Sequence, residues 1–195
     1  MESGVSNPGD GSGFGDGNDD GTQDGNQSNV VSLKTDDQEN YLTFAVSNET
    51  GIEFADVSVM SSSEAGAPSD LYFPFGVFGF IMADVTEGET VTIRIYMPRD
   101  EAITGNYKKS SASGLWENIA TGVDNETYPN KTVITIQIAE GGGFDSDDDP
   151  STITDPGAPG YFRNSTIPTV NEWVILILGL LLVLFSLKRY SRSID

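Results

Sequence analysis

Between residues 30 and 139 apolar and polar side chains alternate almost one for one, and this period of two constrains the fold more than any other feature of the chain. Leu42, Phe44 and Val46 share a face that Thr43 and Ser47 do not. Val91, Ile93, Ile95 and Met97 alternate with Thr92, Arg94 and Tyr96, and Ile134, Ile136 and Ile138 with Thr135 and Gln137. Clusters of Gly, Asn, Asp and Pro at 48–51, 64–70, 86–89 and 124–130 punctuate these runs. Eight strands are expected, over 30–34, 41–47, 53–60, 76–83, 90–97, 104–110, 115–120 and 132–139. Short strands at this spacing predict a sandwich or barrel; the expectation is an all-β, antiparallel β-sandwich, Ig-like or jelly-roll-like, over residues 30–160. The most apolar stretch, LYFPFGVFGFIMADV at 71–85, reads as a buried strand pair or as one strand preceded by a capping loop. Pro74 and two glycines argue against a helix there.

The flanks differ in composition. Residues 1–29 are Gly, Asp, Asn and Ser with almost no apolar side chains, so too little surface can be buried to offset chain entropy, and disorder is expected. Residues 140–166 return to Gly, Asp and Pro and read as a linker or a mineral-binding edge. The final segment, 161–195, contains a run of fourteen mostly apolar residues from Val174 to Leu187. A typical spanning helix needs roughly 20, but Trp173 and Tyr190 as interfacial anchors lengthen the element toward a thin-bilayer span over about 173–190.

Charge and missing residue types narrow the function. Thirty Asp and Glu stand against ten Lys and Arg, a net charge of -20. Nucleic acid and anionic membrane surfaces would repel such a chain, whereas divalent cations would be attracted. No cysteine is present, which removes disulfides and thiolate chemistry, and no histidine, which removes the commonest general base and His-containing metal sites. The expectation is a protein that is not an enzyme. No carboxylate pair is singled out for glycoside hydrolysis.

The N-terminal residues lack the basic and apolar regions of a secretory signal. Either the natural protein begins further upstream, which is the expectation, or the chain inserts by its tail. The tail has three readings: a core helix, a permanent anchor and a sorting signal. A sandwich of this size has no room to wrap a helix that is apolar all round. In the other two, Lys188, Arg189 and Arg192 form a basic stop that puts the C-terminus in the cytoplasm and the acidic domain outside.

Ile167-Pro168-Thr169-Val170, two further residues, Trp173, the apolar run and the basic cluster occur in that order at the terminus. This arrangement resembles the bacterial IPTL-CTERM sorting signal, with Val170 in place of Leu and Val174 where Gly is common. The resemblance implies recognition and cleavage by an exosortase-like membrane peptidase in a Gram-negative bacterium, then transfer or release at the cell surface. Pro168 keeps the motif extended and so open to a protease. Upstream, Phe78, Val91, Pro98, Tyr107, Lys108, Trp116 and Asp155-Pro156-Gly157 are similar to the pattern of the choice-of-anchor U domain, a β-rich module found before varied anchoring signals. The second Tyr of that family's YYKY segment is missing. The resemblance assigns no catalytic residues.

Two acidic segments have calcium-ligand spacing. In DGNDDGTQDGNQ, Asp16, Asn18, Asp20 and Asp24 occupy the first, third, fifth and ninth places of a calcium loop. Gly21 takes the sixth place, where the turn is sharp, and Thr22 offers its carbonyl at the seventh. Gln27 stands where a bidentate Glu is usual, and no helix precedes the loop, which therefore resembles a thrombospondin type 3 repeat more than an EF-hand. Asp145, Asp147 and Asp149 alternate in the second segment, but Pro150 takes the place of the turn glycine. Bound Ca²⁺ is the expected cofactor of the first; a solvated linker is the competing reading of both. Trp116 with Tyr72, Phe73, Phe75, Phe78 and Phe80 reads as core before it reads as a carbohydrate platform. The sequons at Asn48, Asn125, Asn130 and Asn164 read as turns.

Together these observations predict a non-enzymatic cell-surface or exported module, single-pass with its C-terminus cytoplasmic before processing. The alternative is a permanently anchored calcium-dependent adhesin or glycan-binding module.

Overall fold

The computed structural model describes residues 15–46 and 51–163, and Leu180. The chain divides into two units, Met1–Phe162 and Arg163–Asp195. The sorting motif Ile167, Pro168, Thr169, Val170 and Trp173, the basic stop Lys188, Arg189 and Arg192, and the helix expected over 173–190, Leu180 apart, lie outside the described residues. Among the described residues no helix is long and apolar enough to cross a membrane.

Among the described residues eleven strands follow in order: β1 Val30–Lys34, β2 Tyr41–Val46, β3 Glu53–Met60, β4 Leu71–Tyr72, β5 Val77–Ala83, β6 Thr90–Pro98, β7 Gly105–Lys109, β8 Trp116–Asn118, β9 Ala120–Asp124, β10 Lys131–Ala139 and β11 Thr152–Phe162. They form two sheets, β1-β2-β6-β10-β9 and β3-β5-β11-β7-β8, with β4 added to β11, and every pairing is antiparallel. The all-β, two-sheet architecture is as the alternation predicts.

The alternating residues do what their period requires. Leu42, Phe44 and Val46 of β2, Val91, Ile93, Ile95 and Met97 of β6, and Ile134, Ile136 and Ile138 of β10 all face inward, none more than 3% exposed. Phe78, Phe80 and Met82 of β5 and Ile153 of β11 meet them from the opposite sheet. Phe44 stacks at a tilt on Phe78 and Phe80, with centroids 5.5 and 6.0 Å apart, and Phe54 meets Phe80 edge-on at 5.8 Å. A single residue carries the chain between sheets. Ile119 lies between β8 and β9, its side chain in the core and its N–H donating to the Asn106 carbonyl at 2.8 Å. Two edge strands, β3 and β9, carry bulges, which twist an edge away from further pairing.

The stretch 71–85 contains two strands, but they do not pair with each other. Both pair with β11, β5 along residues 152–157 and β4 at 161–162. The linker reading of 140–166 is therefore corrected. Residues 152–162 are the middle strand of the second sheet, flanked by β5 and, along 157–160, by β7. Pro156 and Pro159 would ordinarily exclude a middle strand, because proline has no N–H for the ladder. Each stands where β11 has a partner on one side only: Pro156 opposite Gly79 before β7 pairing begins, Pro159 opposite Asn106 after β5 pairing ends. The missing N–H can face the side without a strand. Gly160 is required by close approach, since a Cβ there would come within 2.5 Å of the Tyr72 carbonyl and 2.6 Å of the Phe73 ring.

Ile153, fully buried on β11, distinguishes strand from linker. Ile153→Ala is expected to cost about 2–4 kcal/mol in equilibrium denaturation, the usual result of emptying a packed core position. A loss below about 0.5 kcal/mol, the surface level, would contradict the placement of β11.

Candidate functional site

Residues 15–29, expected to be disordered, form a loop folded back on the outer face of the first sheet. Its first half is a turn closed by side-chain to backbone hydrogen bonds. The Asp16 carboxylate accepts the N–H groups of Asp20 and Gly21, at 3.1 and 2.9 Å, and Asn18 Oδ1 accepts Asp20 N–H at 3.2 Å. Asp20 Oδ1 accepts Thr22 N–H at 2.8 Å. Gly21 has φ +88°, a left-handed conformation that glycine adopts without strain. The Gln27 amide at the twelfth place donates to Asp20 Oδ1 at 3.1 Å and to the Thr22 carbonyl at 3.2 Å. Asp16, Asn18, Asp20 and the Thr22 carbonyl thus belong to one turn, closed by Gln27.

Asp24, the ninth place, does something else. It is fully buried; both its oxygens accept Gly17 N–H at 3.1 Å, and one also accepts the Ser32 hydroxyl of β1. Ser32 continues to Thr43 of β2 at 2.6 Å. Asp24 is a fastener of the loop to the sheet. Lys131 at the start of β10 is a second, its Nζ 2.7 Å from both the Gly17 carbonyl and Asp19 Oδ2. Gly17 is the contact point, because a Cβ there would lie 1.9 Å from Thr43 Oγ1. Reasoning from ligand spacing passed over Gly17 and Lys131, whose roles depend on partners up to 114 positions away.

The second acidic segment lies at one end of the sandwich. The β5–β6 turn (Glu87, Gly88), the β7–β8 turn (Ser111) and the β10–β11 connection (Glu140 to Gly143, Asp145 to Asp148, and Pro150) line a cleft of about 660 Å³. Asp145 is buried and accepts the N–H groups of Gly141 at 3.0 Å, Thr154 at 3.1 Å and Asp147 at 3.4 Å. Asp147 accepts Asp149 N–H at 2.9 Å and the hydroxyls of Thr152 and Thr154. Asp149 accepts the N–H and hydroxyl of Ser151. The period-two carboxylates therefore form successive turns that pin the connection to the start of β11. Buried Glu140 likewise accepts Gly88 N–H, and buried Lys108 reaches Ser146 Oγ and the Thr154 carbonyl, both at 3.4 Å, from beneath. The wall carboxylates exposed to solvent are those of Glu87 and Asp148.

Among the described residues no group of three or more Asp or Glu side chains is gathered at metal-binding spacing. The aromatic residues divide as core. Phe75, Phe78 and Phe80 are in the main core, and Phe73 is in an outer cluster with Tyr107 and half-buried Trp116, its ring 5.3 Å from that of Trp116. Around the sequon at 125, Asp124 accepts Glu126 and Thr127 N–H at 2.8 and 2.9 Å, as a turn does. Comparison with protein-family profiles, curated proteins and solved structures finds no match, so the functional reading rests on the chain's own residues and geometry.

Asp147 gives the pinned segment a pH signature. Burial pushes its carboxyl up, but the bonds from Thr154, Asp149 N–H and Thr152 outweigh burial and hold it below its ordinary value of 3.8. A depressed folded-state value means that the stabilisation is complete above the unfolded-chain value and is lost as pH falls through the folded one. Asp147→Asn is expected to cost about 1 kcal/mol at pH 7, less than a fully buried charged hydrogen bond because solvent screens the site. It is also expected to flatten the fall in stability below about pH 4. Denaturant midpoints of both proteins at pH 7 and pH 3 check this.

Proposed function

We propose that the chain is a non-enzymatic, exported module of a Gram-negative cell envelope, delivered by a C-terminal sorting signal that an exosortase-like membrane peptidase removes. The observation that carries the reading is the order of features at the terminus: Ile167, Pro168, Thr169, Val170 and Trp173, then the apolar run 174–187, then Lys188, Arg189 and Arg192. An apolar helix over about 173–190 with a basic end orients the domain outward and the tail inward. The domain upstream, in this reading a choice-of-anchor U-like sandwich of Ig-like or jelly-roll-like kind, suits a surface module. Its edge strands β3 and β9 are bulged, its carboxylates are used as fasteners, and β11 leads directly into the tail.

Intact mass of the mature protein from its native host tests the proposal. The expected result is loss of the segment after the Ile167–Trp173 motif. A mass that still includes Asp195 would overturn processing and leave the permanently anchored, calcium-dependent adhesin or glycan-binding module as the reading to pursue.

Calcium belongs to the same proposal. Asp16, Asn18, Asp20 and the Thr22 carbonyl supply hard oxygen ligands from one turn, and Gln27 rather than Glu at the twelfth place lowers the ligand charge. Binding is expected in the weak range of extracellular modules, Kd about 10⁻⁴ to 10⁻³ M. Calorimetric titration of the protein and of the double variant Asp16→Asn, Asp20→Asn checks this: heat from the first and none from the second is expected. No response to about 10 mM Ca²⁺ would remove the cation from the reading.

A further inference from the structure

We infer that residues 15–29 form a strap that lifts off the first sheet as a unit while the sandwich beneath stays folded. The fifteen residues GDGNDDGTQDGNQSN contain no apolar side chain larger than the Thr methyl. The strap therefore contributes almost nothing to hydrophobic burial, the largest stabilising term available to the strands under it. Polar fasteners hold it instead: Asp24 to Ser32, Lys131 to the Gly17 carbonyl and to Asp19, the close seat of Gly17 on Thr43, and, at its C-terminal end, the Ser28 and Asn29 carbonyls accepting the N–H groups of Phe54 and Val46. Its internal bonds form a separate set, among them Asp24 N–H to the Gly15 carbonyl, Gly17 N–H to Asp24 and the turn closed by Gln27, so the strap can keep its own shape when undocked. It carries four carboxylates and no basic residue, and Lys131 pairs with it at Asp19.

The residues it seats on are outward-facing yet buried. Thr43 is 3% exposed and Lys131 5%, beside a small outer cluster of Val30, Ala45, Tyr96 and Val133. Lys131 Nζ also lies 5.9 Å from the centre of the Tyr96 ring. Opening therefore uncovers Thr43, Lys131 and the edge of an apolar strip on strands β2, β6 and β10. The strap masks a face of the first sheet, and its fasteners set how often that face is shown. This inference does not depend on cation binding, since the fasteners are protein groups.

Hydrogen exchange of the full chain in detergent, with EDTA present, tests it by mass spectrometry. Peptides covering 15–29 are expected to exchange together, at least on the order of 100-fold faster than peptides of β6 and β10. Gly17→Ala, whose Cβ cannot fit against Thr43, is expected to abolish protection in 15–29 and leave β5 and β11 unchanged. Lys131→Met, which keeps the buried stem and removes the ammonium, is expected to speed strap exchange on the order of 10-fold with the same restriction. Strap amides that exchange at the rate of β6 and β10, or a Lys131→Met protein in which all strands lose protection equally, would overturn the inference.

Discussion

The insertion of β11 between β5 and β7 is the pairing on which the second sheet depends. Without it, β3-β5 and β7-β8 would be two separate ribbons, and a two-stranded ribbon is marginal in water. Residues 152–157 pair with β5, 157–160 with β7 and 161–162 with β4, so one strand carries three neighbours in succession. The handover occurs at Gly157, which is opposite Phe78 on one side and Lys108 on the other. Ile153 adds the apolar contact that ties this strand to the core shared with the first sheet. The acidic turns just before it follow from the same need. Asp145 and Asp147 take up N–H and hydroxyl groups of Thr152 and Thr154, which fixes where the strand begins.

Much of this fold is legible in the sequence, and what is hidden has physical causes. The inward residues of β2, β6 and β10 announce themselves because each strand buries one face, and burial of one face requires a period of two. β11 reads instead as TITDPGAPGYF, with two prolines and two glycines in eleven residues. Those residues are tolerated by features a sequence does not display: one-sided pairing at each proline, and a Tyr72–Phe73 backbone and ring that leave room only for hydrogen at Gly160. β9 is hidden because the chain switches sheets at Ile119, so the run 115–120 that looks like one strand belongs to two. Among the candidate ligands, spacing identifies the residues that share the first turn of the N-terminal loop but misreads Asp24. Its oxygens are used by Gly17 and by Ser32, a residue on another element.

Asp24, Asp145 and Asp147 are half-buried or buried, and each accepts several hydrogen bonds from backbone N–H or hydroxyl groups, while buried Glu140 accepts the Gly88 N–H. Hydrogen bonds of this kind offset the loss of water around a carboxylate inside a loop. This explains how a chain with three acidic residues for each basic one keeps acidic loops compact. It also separates two uses of aspartate that look alike in sequence. In the first loop, Asp16 and Asp20 bond within a single turn. In the second segment, Asp145 and Asp147 bond outward to β11.

The register of the sheets places these features at opposite ends. The acidic cleft forms where β5 turns into β6 and β10 leads to β11, beside the pairing of Thr90 with Ala139. From there β11 runs eleven residues, about 33 Å at ordinary strand rise, to Phe162 at the end where β6 hands over to β7 and Thr104 N–H bonds the Gly160 carbonyl. Phe162 therefore lies at the end of the sandwich remote from the cleft. The polar strap is fastened near the Phe162 end, at Lys131 and Thr43, opposite Pro98 and Tyr96.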